Sequence, residues 1–193
     1  HYWVTAGYGS ALRILSEGLC ISRQSGVHIY DSMLWSFMTA AEMASGQMER
    51  AGNALNHQLA AQMVTAKTLD IFFYHINCAW HALLAANPAL AVEHLELIAI
   101  KVEKMGTPYY RALWNIGMAQ ALFSLNRPKD AMACVQTAHR ISLEMHSTVM
   151  EWYSLLIGAY FLLQENREDE GVQSLREALL LGQRFGYVHL QFY

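Results

Sequence analysis

The sequence predicts an all-α protein built as a solenoid of stacked antiparallel helix pairs, with a repeat period of about 40 residues. Three observations predict it. Small residues recur in step at Ala11, Ala51, Ala91, Ala131 and Gly171. Four positions on, Leu15, Leu55, Leu95, Val135 and Leu175 are all aliphatic. Turn formers keep the same frame, at Gly26, Ala66, Gly106, His146 and Gly186, with Gly46, Ala86, Asn126 and Asn166 between them.

Each period divides into a first helix (helix A) and a second (helix B). The first unit keeps the tail of a helix A in His1 to Tyr8, then a helix B from Ser10 to Ser25. The second reads Ile29 to Ser45, then Gln47 to Val64. The third reads Thr68 to Ala85, then Pro88 to Met105, with Asn87-Pro88 as the break. In the fourth, Thr107 is placed to cap and Pro108 suits the first helical position, so helix A runs from about Tyr109 to Leu125. Asn126-Arg127-Pro128 then opens a helix B that continues to about Met145. In the fifth, Ser147 starts helix A, Asn166 marks the turn, and Gly171, Leu175 and Ala178 share the inner face of helix B. The acidic run Glu168-Asp169-Glu170 falls in its first turn, where it complements the helix dipole. Gly186-Tyr187 should open a further unit. Residues 1–193 read as one repeat domain with unit boundaries near 26, 66, 106, 146 and 186, cut from a longer protein.

Composition narrows the function. Of 193 residues 54% are hydrophobic and 15% charged, so either much surface is buried or some apolar surface awaits a partner. A formal net charge of -3 gives no basic field for direct nucleic-acid binding. Cys20, Cys78 and Cys134 form no CxxC pair and read as buried free thiols in a cytoplasmic protein. The stretch from Ile71 to Val92 lacks Asp, Glu, Lys and Arg, but His75, Asn77, His81, Asn87 and Pro88 make it two buried helices rather than a membrane span.

The array resembles tetratricopeptide-type helical repeats. That family sets a small residue in helix A twelve positions before a small one in helix B, as in Ala79 and Ala91, Ala119 and Ala131, and Ala159 and Gly171; Thr39 with Ala51 is a weaker match. Trp35 also fits the family's habit of a tryptophan early in helix A. The resemblance implies a right-handed superhelix whose helix A residues line a concave surface. The longer period, with the stretch 177–189 (EALLLGQRFGYVH), is similar to the repeat region of maltose-regulator-type, ATP-dependent bacterial transcriptional activators of the LuxR family. That likeness implies flanking ATPase and DNA-binding domains. ATP is then expected only in a flanking domain, and no cofactor in this segment.

No catalytic constellation is visible. There is no G-x-x-x-x-G-K, G-x-S-x-G or H-E-x-x-H, and Gly7-Tyr8-Gly9 is a lone G-x-G outside any strand–turn–helix context. His75, Cys78 and His81 share a helix face, but three residues on one straight helix cannot wrap a tetrahedral metal ion. Neither an enzyme nor a metal site is expected.

The concave frame implied by the resemblance gives Phe73, Leu113 and Tyr153, then Ile76, Ile116 and Leu156, then Trp80, Gln120 and Tyr160, with Phe123 beyond. None is charged, so a clamp for a terminal carboxylate is disfavoured. These rows are either packed core or an apolar groove for a protein, a peptide or a small effector. In the groove reading, Trp80, Phe123, Tyr153 and Tyr160 are the anchors, and the polar tips of Gln120 and the tyrosines orient the ligand. The expected function is a non-enzymatic interaction and effector-sensing segment of a bacterial transcriptional regulator; the alternative is a free-standing cytoplasmic adaptor for hydrophobic peptides. Lacking polar caps, the array is also expected to expose apolar surface at His1 to Tyr8 and near Phe192, and to self-associate through its ends.

Overall fold

A computed structural model describes residues 7–65 and 67–188. The described residues form nine helices and no strand: α1 (Tyr8–Ser25), α2 (Asp31–Ala44), α3 (Met48–Thr65), α4 (Thr68–Leu84), α5 (Pro88–Met105), α6 (Pro108–Ser124), α7 (Pro128–Glu144), α8 (Thr148–Gln164) and α9 (Glu168–Phe185). Each helix packs on the next, as an α-solenoid requires. Of the expected helix A tail from His1 to Tyr8, Tyr8 instead opens α1 with Gly7 as its N-cap, and the residues before Gly7, the turn at Ala66 and the apolar tail near Phe192 lie outside the described residues. The bounds match the sequence reading to within a residue or two. The α1–α2 connection is stitched by Ser22, whose hydroxyl lies against the carbonyl of Val27 and the carboxylate of Asp31. That holds Ile29 and Tyr30 out of α2.

A left-handed residue recurs at every half-period among the described residues: Gly26, Gly46, Ala86, Gly106, Asn126, His146, Asn166 and Gly186 all have positive φ. The two turn frames of the sequence are therefore one frame at half the period. Helix A and helix B are nearly equal in length and end alike. At six of these ends, the N–H of Gln47, Asn87, Arg127, Ser147, Arg167 or Tyr187 returns to the carbonyl five positions back, satisfying the last turn.

The helix starts differ from expectation. The Thr107 and Ser147 side chains make no capping hydrogen bond; Thr107 Oγ1 instead donates to the carbonyl of Met105 at 3.3 Å. Asn87 does cap, accepting from Leu90 N–H at 3.2 Å.

Two layers follow from the packing. The even helices touch each other in series, α2 to α4 to α6 to α8, whereas among the described residues no odd helix touches another odd helix. Helices on the inside of a curve crowd and those outside splay, so the even helices line the concave side. Close approach of the layers rests on small residues. Thr39 and Ala51, Ala79 and Ala91, and Ala119 and Ala131 are all fully buried. Gly171 admits no side chain without displacement, because a Cβ there would lie 2.8 Å from Leu163 Cγ. The aliphatic anchors fill what remains: Leu95 and Val135 are buried, and the next helix A presents Gly117 to Leu95 and Gly158 to Val135.

Candidate interaction surface

The inner layer is closed along most of its length. In α6, every residue from Asn115 to Leu122 is buried, because α4 and α8 flank it and α5 and α7 back it. Ile76, Trp80, Leu113, Ile116, Gln120 and Tyr153 therefore sit in the core. Phe73, Phe123 and Leu156 are half-buried, and Tyr160 is 44% exposed. Of the expected anchors, only Phe123 and Tyr160 reach the surface. Gln120, one of the expected orienting groups, has its Oε1 buried without a hydrogen-bond partner among the described residues.

The aromatic side chains that touch across the inner layer do not follow rows of constant frame. Phe37 meets Phe73 at 6.3 Å between ring centroids, and Phe73 meets Tyr110 edge-on at 5.8 Å. Phe123 lies 5.9 Å from Tyr160 and stacks on Phe161 at 4.0 Å. Every one of these steps along the chain falls a little short of the repeat period, because a ring facing forward on one inner helix meets a ring facing back on the next, and those two faces differ in frame. Two aromatic strips result. One runs over α2, α4 and the start of α6; the other joins the end of α6 to α8. Phe37 and Tyr110 belong to the first strip and are not among the residues singled out from the sequence. Their aromatic spacing is a signal, but at the wrong period.

Titratable groups sit between layers rather than in a cleft. His75 on α4 and His94 on α5 face each other, Nδ1 to Nδ1, at 3.1 Å. Burial first, then the neighbouring His94 and Lys101, holds the pKa of His75 down to about 4. Burial also lowers His94, with Glu93 opposing. Burial pushes the Cys78 thiol up to about 11, partly offset by its hydrogen bond with Tyr74, and it is no nucleophile at neutral pH. His75 and Cys78 thus have separate partners. Among the described residues no three His, Cys, Asp or Glu side chains converge to hold a metal ion. The thiols differ from the uniform burial expected: Cys78 is buried, but Cys134 is half-buried and Cys20 exposed, because Cys20 falls on the outward face of α1.

No family model matches the chain, and no curated protein matches it. The site must therefore be read from its own chemistry. A polar cleft of about 140 Å³ opens where α5, α6 and α7 meet, but its arginines already have partners: Arg111 lies 3.5 Å from Glu103, and Arg140 2.6 Å from Glu144. An apolar cleft of about 320 Å³ lies on α9, lined by Val172, Leu175, Leu179 and Leu180 with Arg176 and Gln183. Among the described residues no helix is long and apolar enough to cross a membrane.

Proposed function

We propose that this chain is a non-enzymatic interaction and effector-sensing segment, and that it serves a bacterial ATP-dependent transcriptional regulator. The observation that carries the interaction reading is the Phe123–Tyr160 strip. It places half-buried and exposed aromatic surface side by side on the concave side of a closed inner layer. Rigid aromatic surface of this kind binds apolar ligands at small entropic cost. A peptide or small effector seated there would touch α6 and α8 together. It would favour one relative placement of two adjacent units, and a solenoid passes such a change along its axis. The regulator context rests on the long repeat period and the 177–189 stretch; ATP and DNA would then be handled by flanking domains.

The test is a thermal-shift screen of apolar peptides and small aromatic metabolites on the wild-type chain and on Tyr160→Ser. A compound that raises Tm of the wild type, and shifts the variant far less, supports the strip as the site. If every compound that binds shifts both proteins equally, the strip is not the binding surface. The regulator context is tested separately, by asking whether Tyr160→Ser in the full-length protein abolishes induction of a reporter gene.

A further inference from the structure

In the outer layer, α5 differs from its neighbours along one line of its outward face. Its inward face is buried through Ala91, Leu95, Ile98 and Val102. The line opposite reads Glu93, Leu97, Ile100 and Lys104, spaced so that all four lie along one outward stripe. Leu97 is 63% exposed and Ile100 71%. One period away on either side, the centre of the same line carries no large aliphatic side chain: Thr137 and Arg140 stand there on α7, His57 and Ala60 on α3. No repeat-wide packing demand therefore explains the two at α5.

The order of residues along the stripe says what covers it. It runs acid, aliphatic, aliphatic, base from the N-terminal to the C-terminal side. Turned end for end and laid against itself, the stripe sets Leu97 of each copy on Ile100 of the other, and Glu93 of each beside Lys104 of the other. A parallel copy would instead oppose Glu93 to Glu93 and Lys104 to Lys104. The antiparallel arrangement also opposes the helix dipoles. A surface complementary to its own reversed image is what a two-fold symmetric contact needs.

We propose that the outer face of α5 is a homodimer contact, in which two copies cross antiparallel with Leu97 and Ile100 at the centre and Glu93–Lys104 pairs at either end. Glu96 and Glu103 lie together on one flank, where Glu96 of each copy would approach Glu103 of the other, so the helices cross at an angle and the contact stays centred on the stripe. One helix pair buries less than the roughly 1,200 Å² of stable complexes, so the dimer is weak, with a dissociation constant above about 1 μM.

Sedimentation equilibrium on the full chain over a wide concentration range tests this. The wild type should show a monomer–dimer equilibrium that Leu97→Glu weakens at least tenfold. Glu93→Lys and Lys104→Glu should each weaken it, and the double exchange E93K/K104E should restore it. All three positions are on the outward stripe, and unchanged circular dichroism would confirm that the variants fold. A wild type that stays monomeric, association indifferent to Leu97→Glu (as end-to-end contact would be), or a double exchange no better than the single ones would each overturn the proposal.

Discussion

Asn77 on α4 donates to Gln58 on α3, Nδ2 to Oε1, at 3.1 Å, with both side chains buried. The same amide also reaches the carbonyl and the hydroxyl of Ser36 on α2, each at 3.0 Å. One period away the position of Asn77 is Gly117, and two away it is Ile157. This is therefore no repeat feature. It is a local tie that joins three helices across the boundary between the second and third units.

Removing that tie should be costly. Asn77→Leu leaves the Gln58 oxygen and the Ser36 acceptors buried without their donor, at about 2–4 kcal/mol by the general cost of orphaned buried groups. Urea denaturation followed by circular dichroism reads the loss. A change below about 0.5 kcal/mol would show that the network contributes little.

Stability should fall on mild acidification, through His75 and His94. Their folded-state pKa values lie below the ordinary 6.5, with His75 near 4. The unfolded chain then binds more protons between those limits, so stability is complete above about pH 6.5 and is lost as pH falls towards about 4. His75→Gln removes the group with the larger shift. Its denaturation midpoint should drop less between pH 7 and pH 5 than the wild type's, and equal drops would contradict this.

Ala86 holds φ at 56°, a conformation that a Cβ disfavours by about 1–2 kcal/mol. Ala86→Gly relieves that strain and should raise stability by roughly 0.5–1 kcal/mol after the extra freedom of the unfolded chain is counted. Gly106→Ala, at φ 63° one half-period on, should lower it by a similar amount. Melting temperatures of the two variants should move in opposite directions.

Leu95 and Leu175 hold the same frame two periods apart. Leu95 is fully buried against α6, while Leu175 is only half-buried. Leu95→Ala should cost about 2–5 kcal/mol, and Leu175→Ala less than about half of that. Equal losses in equilibrium unfolding would mean that Leu175 is covered as Leu95 is.

How much of this was legible in the sequence depends on distance along the chain. Helix bounds and turns were, because Pro88, Pro128, Gly46 and Asn126 act within a few residues through local sterics. So were the small pairs such as Ala119 with Ala131, because a tight helix crossing admits no larger side chain. Their recurrence at one period determined the solenoid and its unit length. What the tertiary structure alone decided is which apolar side chains face water. Trp80, Ile116 and Tyr160 sit on the same helical face in sequence, yet two are core and one is exposed. The number of inner neighbours sets that difference: α4 and α6 each lie between two inner helices, whereas among the described residues α8 touches only α6.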